Sequence, residues 1–262
     1  MIVLGLLGPF RFTVDQVDRT ASLSYDKVKL LAAVLCLANG KVLHRERLAH
    51  MLWPDLARDK ALSRLRHALD VLRKAWGGQP VCRVAHAEGA MAFKPECVQV
   101  DVLEFMQADA AQNACLLQRL SLYGGRFLDA IPSPDAEAFI SWRRSWEDRL
   151  TLELFSVRAR LFEQVLQTHQ WDQALALAQD WVLQAPEQEV YHRLLIRALM
   201  QRGDRQAALQ AYAHCEQALR QYLGVRPDPE TRRLAEAQWP VAASHAPPTS
   251  TQSHRTVATL AL

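Results

Sequence analysis

The sequence predicts a small α+β domain followed by an all-α domain built from helical repeats. Short apolar segments with strand periodicity flank three helical segments in residues 1–101. From Asp101 onward helical periodicity dominates, and strand signals vanish. Residues 240–262 are rich in Ala, Ser, Thr and Pro and nearly uncharged, which predicts a disordered tail or linker. The predicted domains are therefore 1–101 and 102–239, with 240–262 as the tail.

The first elements are strands and two helices. Residues 2–14 predict two short strands hinged at Gly8-Pro9, and a third strand is predicted near residues 21–23. A helix is predicted over residues 25–38 and ends at Asn39-Gly40, since both residues tolerate a left-handed backbone. A short amphipathic helix is predicted to follow over residues 43–52, where Pro54 stops it.

The third helix of this half has the strongest pattern. It is predicted from Asp59, a plausible N-cap, to Trp76, with Gly77-Gly78 closing it. Its predicted apolar stripe is Leu62, Leu65, Leu69, Leu72 and Trp76. The opposite side carries Lys60, Ser63, Arg64, His67, Val71 and Lys74, with Arg66 and Arg73 on one flank. Such a face offers cations for phosphates and forked donors for guanine edges.

A hairpin completes the N-terminal half. Residues 81–84 and 90–93 predict two strands around a turn that contains Gly89. The order strands, helix, helix, loop, helix, hairpin is that of a winged helix-turn-helix domain, whose third helix enters the major groove of DNA. The predicted DNA-binding residues are Lys60, Ser63, Arg64, Arg66, His67, Val71, Arg73, Lys74, Arg83 and His86. An ordinary solvated helix face is the alternative interpretation.

The charge distribution agrees with this division. Residues 1–101 hold 15 Lys and Arg against 10 Asp and Glu, whereas the remainder holds 16 against 18. A basic half joined to a slightly acidic half is typical of a nucleic-acid module attached to a protein-facing module.

The helical half contains a degenerate repeat. Ala174, Ala178 and Trp181 recur 34 residues later as Ala208, Tyr212 and Cys215. This is the spacing of the tetratricopeptide repeat, or TPR. The small residues Ala174 and Ala208 fall where the two helices of one repeat must approach closely. A TPR-like all-helical domain is therefore predicted.

Other classes of protein are disfavoured. The five cysteines include no CxxC pair, which predicts reduced thiols and a cytoplasmic location. No apolar run approaches the roughly 18 to 20 residues that span a bilayer, so no membrane partner is expected. Motifs of P-loop, dinucleotide-binding, serine-hydrolase and zinc-protease type are missing. No enzyme activity, metal site or cofactor is predicted.

Longer motifs resemble the SARP family of transcription regulators. The N-terminal matches are LLGPFRF, LWPD, LSRLRHALDVLRKAW and VQVDVLEF. The C-terminal matches are YGGRFLDAI, WRRSWEDRL, APEQEVYHRLLIRALMQRGDRQAALQAY and LGVRPDPETRRL. Together they cover about residues 3–236. The resemblance implies an OmpR/PhoB-type winged helix followed by a bacterial transcriptional activator domain, BTAD.

The resemblance also implies site residues and partners. The DNA-facing positions it implies are Arg64, Arg66, His67, Val71, Arg73 and Lys74. The loop Pro54, Asp55 to Arg58 corresponds to a segment that contacts RNA polymerase, although a plain surface loop is an equal alternative. Asp70 lies amid the basic face, where many relatives are neutral or basic. An acidic group there either accepts a hydrogen bond from cytosine N4 or bridges to Arg66 or Lys74.

The functional hypothesis is a sequence-specific regulator, an activator that binds double-stranded promoter DNA as a homodimer and recruits RNA polymerase. Its helical domain would serve dimerisation or signal input. The alternative is a TPR-like protein-binding adaptor, or the regulatory module of a signalling protein, because fold alone does not fix function. The basic face of the third helix favours the first hypothesis, since an adaptor does not need it.

Overall fold

The structure is a computed structural model that describes residues 1–77, 82–84, 90–93, 98–107 and 115–237. Its contacts divide the chain into two compact units, Met1–Gln164 and Val165–Leu262. The predicted tail lies outside the described residues. The predicted domain boundary between residues 101 and 102 stays a prediction, and the division between compact units falls further along the chain.

Seven strands are described, all in the first unit. They are β1 (Ile2–Gly5), β2 (Arg11–Val14), β3 (Val17–Asp18), β4 (Val42–His44), β5 (Cys82–Val84), β6 (Ala90–Phe93) and β7 (Val98–Val100). One sheet has the order β3-β2-β1-β7, and the other has the order β4-β6-β5. The described part of the chain thus contains the two predicted strands of residues 2–14 and the predicted hairpin.

Ten α-helices are described. The first six are α1 (Asp26–Leu37), α2 (Arg45–Leu52), α3 (Arg58–Ala75), α4 (Asp101–Gln107), α5 (Cys115–Leu122) and α6 (Glu137–Gln167). The division between the two units falls within the last turn of α6. The remaining helices are α7 (Trp171–Gln184), α8 (Glu189–Gln201), α9 (Arg205–Leu223) and α10 (Pro229–Ala237). α6 is one continuous helix of 31 residues. The helix α10 was not predicted.

The first sheet is organised around β1. It pairs antiparallel with β2, with Ile2 opposite Val14, and parallel with β7, with Ile2 opposite Val98. The predicted strand at residues 21–23 is wrong, because residues 20–22 form a 3₁₀ turn. The Thr20 hydroxyl accepts a hydrogen bond from the Phe12 backbone N–H at 2.9 Å, which holds this turn against β2.

The helices α1, α2 and α3 form the helix-turn-helix. Both α2 and α3 pack on α1, nine of whose residues are buried. It ends where predicted, since Asn39 and Gly40 both have positive φ, 47° and 82°. Leu43 was predicted in the second helix but belongs to β4, where it lies opposite Met91 of β6. The helix α2 therefore begins at Arg45, and it ends before Pro54 as predicted.

The second unit consists of helices packed on α8. Both α7 and α9 contact α8, and α10 contacts α8 and α9. The repeat-related Ala174 and Ala208 are fully buried, which confirms that they lie at close helix approaches. Ion pairing adds to the contact with α10, because Arg193 Nη1 lies 2.9 Å from Glu230 Oε2.

A loop at residues 124–131 is joined to the connection between β1 and β2. Leu7 forms a β-bridge with Phe127, and Leu128 N donates to Leu6 O at 2.8 Å. The two backbones approach so closely at Gly8 that a Cβ there would lie 2.9 Å from the Gly124 carbonyl carbon. Gly8 also has a φ of +100°, so a side chain at this position would be strained for two reasons.

Candidate nucleic-acid interface

The buried face of α3 is narrow and built from residues at three- and four-residue spacing. Its members are Ala61, Leu65, Ala68, Leu72 and Ala75. The three alanines allow α3 to lie close to α1 and α2, both of which it contacts. Of the predicted stripe, Trp76 is buried at the helix end, but Leu62 and Leu69 are only partly buried. Leu62 and Leu69 therefore border the buried face, because the alanines complete it on the other side.

The first turn of α3 differs from the prediction. The residue at the N-cap is Ala57, and no side chain there bonds to the helix. Asp59 is the second helical residue instead, so its predicted capping role is wrong. Its charge still lies in the first turn, where the helix dipole favours an anion. The Arg58 guanidinium hydrogen-bonds to Glu46 of α2, so this cation connects the two helices.

The solvent-exposed surface of α3, outside the buried stripe, carries the predicted DNA-binding side chains. Seven residues are exposed along it together with Asp70: Lys60, Ser63, Arg64, Arg66, His67, Arg73 and Lys74. Val71 is half-buried. Within the described residues, none of the five Lys and Arg side chains in this set has an ion-pair or hydrogen-bond partner. Arg73 and Lys74 lie in the last turn, where a cation is favoured by the helix dipole.

Two other arginines of the first unit form hydrogen bonds and ion pairs that stabilise the fold. Arg119 is 2% exposed, hydrogen-bonds to the Phe105 carbonyl and lies 2.7 Å from Glu153 Oε1. Arg143 of α6 donates to the carbonyls of Phe127, Leu128 and Ile131 at 3.0 to 3.3 Å. These cations stabilise the loop and helix contacts, and they are therefore not available to a nucleic acid. The free cations of α3 stand in contrast to them.

The remaining predicted site residues lie in two places. Pro54 is half-buried and Asp55 is exposed in the loop between α2 and α3, and Arg58 opens α3. Arg83 lies in β5, opposite Ala92 of β6, but its side chain is not among those described. His86 lies outside the described residues. The hairpin contribution to the site therefore stays a prediction.

Asp101 is a structural residue that the sequence analysis did not single out. Its carboxylate accepts hydrogen bonds from the backbone N–H groups of Leu6 at 2.8 Å, Leu7 at 2.9 Å and Val102 at 2.7 Å. Burial raises the pKa of Asp101, and these three donors offset part of the rise because they stabilise the charged form. The signal in the sequence is an acidic residue placed directly after a buried strand and at the start of a helix.

The described residues offer no sign of a metal site or of a membrane-spanning helix. No group of three or more His, Cys, Asp or Glu side chains there is arranged to hold a metal ion. None of the described helices combines the length and apolarity needed to cross a bilayer. Cys36 and Cys215 are both buried, and burial raises the pKa of Cys215 to about 12.

Comparison with protein families places the C-terminal half. Residues 101–237, just over half of the chain, match the model of the bacterial transcriptional activator domain. The chain belongs to this family. The BTAD match ends with α10, the helix that the sequence analysis missed, and it begins at Asp101, next to the predicted domain boundary.

A solved structure extends the comparison to the N-terminal half. EmbR of Mycobacterium tuberculosis, determined in complex with a low-affinity phosphopeptide, matches with a TM-score of 0.72 at 20% sequence identity. The match covers 90% of this chain and 64% of EmbR. It shows the fold, a winged helix followed by a TPR-like BTAD, and together with the BTAD match it confirms the predicted SARP type. The comparison with curated proteins finds no match.

Proposed function

We propose that this chain is a SARP-type transcription regulator that binds double-stranded promoter DNA through α3. The observation that carries the proposal is the set of exposed cations along α3, outside its buried stripe, that have no ion-pair partner within the described residues. The BTAD family and the EmbR-like fold support the regulator class. The chain covers 64% of EmbR, so its activity and partners are proposed from its own residues.

The side chains of this face divide by their position around the helix. At about 100° per residue, the buried stripe centres on the side opposite Asp70, and Arg66 lies about 40° from the middle of the exposed face. Arg64 lies about 120° from that middle, close to the buried border. Arg66 is therefore the base-reading arginine in this proposal, and Lys74, in the last turn, neutralises a phosphate.

The proposal includes the wider partners. The protein acts in the cytoplasm as an activator, and the segment from Pro54 to Arg58 contacts RNA polymerase. Asp55 is exposed in that segment and is its free charged group, because Arg58 is held by Glu46. The helical repeats of the BTAD mediate homodimerisation on DNA or receive a signal.

Salt dependence tests the DNA-binding proposal. Binding of the full chain to a duplex from upstream of its own gene should weaken steeply with salt, because Lys and Arg displace counterions from phosphates. A plot of log K against log salt should fall with a slope of several units, and Lys74→Ala should reduce that slope by about 1. Arg205→Ala, which removes an exposed arginine of α9, is the control and should leave the slope unchanged. A flat plot would support the adaptor alternative.

The homodimer makes a second prediction. Two protected sites should lie about one helical turn of DNA apart, so that both copies bind the same side of the duplex. Footprinting with increasing protein should show that the second site strengthens occupancy of the first. Protection of a single site, with no gain when a second site is added, would contradict dimeric binding.

A further inference from the structure

Asp70 occupies the middle of the outward face of α3. The residues of the buried stripe are Ala61, Leu65, Ala68, Leu72 and Ala75. With about 100° between successive residues, Asp70 lies about 180° from the centre of this stripe. It is exposed. A partner that packs against the middle of this outward face therefore lies over this carboxylate, with the cations on either side.

The carboxylate has basic neighbours but is not paired with them. Arg66, His67, Arg73 and Lys74 lie three or four positions from Asp70, the spacing at which helical ion pairs form. Such pairs do form elsewhere in this protein, as between Arg143 and Glu147 at 2.9 Å. Asp70 has no ion pair or hydrogen bond within the described part of the chain. The sequence left two roles open for Asp70, a bridge to Arg66 or Lys74 and a hydrogen bond accepted from cytosine N4. The absence of a bridge among the described residues favours the second role.

An unpaired carboxylate restricts what α3 can face. It repels phosphates, so a pose with Asp70 over the DNA backbone is unfavourable. In the major groove guanine shows only acceptors, thymine shows an acceptor and a methyl group, and adenine places the N7 acceptor beside its amino group. Cytosine shows the N4 amino donor alone. A carboxylate in the middle of the face is therefore best satisfied by cytosine.

We propose that Asp70 is a specificity-determining residue that accepts a hydrogen bond from the N4 amino group of one cytosine in each half-site. This inference rests on the proposed DNA-binding function and names the base that the site reads. The flanking Arg66 and Lys74 offset the charge of Asp70 in the complex. The carboxylate lowers affinity for other sequences, so it acts by exclusion as well as by contact.

The test is selection of binding sites from a random duplex pool by the full chain. The wild-type protein should select a cytosine at one position of each half-site. Asp70→Ala should lose that preference, so that discrimination against other bases there falls by about fivefold to 150-fold. It should also bind random-sequence duplex more tightly, because a negative charge is removed from the interface. Asp70→Asn should shift the preference to adenine, whose N6 and N7 match an amide.

Control variants distinguish failure of the role proposed for Asp70 from failure of the DNA-binding proposal. Asp148→Ala removes an exposed carboxylate from α6 and should leave the selected site unchanged, and all variants should melt at the wild-type temperature. Identical selected sites for wild type, Asp70→Ala and Asp70→Asn would overturn the role of Asp70 while leaving DNA binding intact. The role of Asp70 would also be overturned if the variants changed the preference only at positions where the wild-type protein does not select cytosine. Failure of the wild-type protein to bind any duplex would overturn both proposals.

Discussion

His192 is a buried titratable group in α8, with 2% of its surface exposed. Its Nε2 lies 2.9 Å from the Pro186 carbonyl oxygen, which can only accept, so Nε2 carries a proton and donates. Its Nδ1 is buried and has no hydrogen-bond partner within the described structure. Burial lowers the pKa of His192, because a second proton would place an unsolvated charge among the helices. Folding therefore favours the neutral form of this ring.

This residue predicts how stability depends on pH. The unfolded chain has a His192 pKa of about 6.5, whereas the pKa in the folded protein is lower. Once the pH is below about 6.5, the unfolded chain therefore binds more protons than the folded protein. The free energy of unfolding should thus fall as the pH drops through 6.5 towards the folded pKa. A difference of 1 between the folded and unfolded pKa values corresponds to a loss of about 1.4 kcal/mol. In urea unfolding between pH 5 and 8, the stability advantage of the wild type over His192→Gln should shrink as the pH falls.

A matched variant isolates the effect of burial. His214→Gln replaces an exposed imidazole on α9, so it controls for the loss of a histidine as such. A stability difference between wild type and His192→Gln that does not change with pH would contradict the lowered pKa of His192.

At the scale of the element, α3 shows what a sequence pattern can and cannot locate. Its length and its basic face were predicted because Gly77 ends it and because charged residues recur at helical spacing. The buried face was misplaced, since the pattern was drawn through leucines and the alanines were passed over. Alanine is compatible with burial and exposure alike, so only the packing against α1 and α2 decides which face it lies on.

The two faces of α3 should respond differently to truncation. Leu65→Ala should cost roughly 2 to 5 kcal/mol of stability, because Leu65 is 1% exposed and its removal leaves a cavity. Leu69→Ala should cost less, since Leu69 is only partly buried. Arg66→Ala should change stability by no more than about 0.5 kcal/mol and yet weaken DNA binding. Urea unfolding and duplex binding at one fixed salt concentration measure both effects. If Arg66→Ala bound duplex as tightly as the wild type, the outward face would not be the reading face.

At the scale of the whole molecule, the order of elements was predictable but several long-range contacts were not. Adjacent strands such as β5 and β6 are signalled by their turn, whereas β7 pairs with β1 across most of the first hundred residues. The loop at residues 124–131 gives an even weaker signal. Leu128 and Ala130 have φ values of 52° and 59°, and neither residue type prefers that conformation. Arg143 and the β1–β2 connection impose it.

These contacts predict the behaviour of fragments. The sequence predicts that residues 1–101 fold alone, but such a fragment lacks the loop that bonds to Leu6 and Gly8. A fragment of residues 1–167, which ends with α6, should be the more stable of the two. The shorter fragment loses two backbone hydrogen bonds at about 0.5 to 1.5 kcal/mol each and the packing of α4 on β1 and β7, so its melting temperature should be lower by several degrees. Equal melting temperatures in thermal unfolding would show that the loop adds nothing to the sheet.

The bridge between Leu7 and Phe127 also bears on the order of events during protein synthesis. The ribosome produces β1 first, but its partner β7 and the loop at residues 124–131 come much later. At about 5 to 20 residues per second, the first strand waits several seconds or more for these partners. In that interval the helices α1 to α3, whose contacts are local, can assemble ahead of the sheet. A nascent chain stalled before Phe127 would therefore carry a formed helix-turn-helix and an unfinished N-terminal sheet.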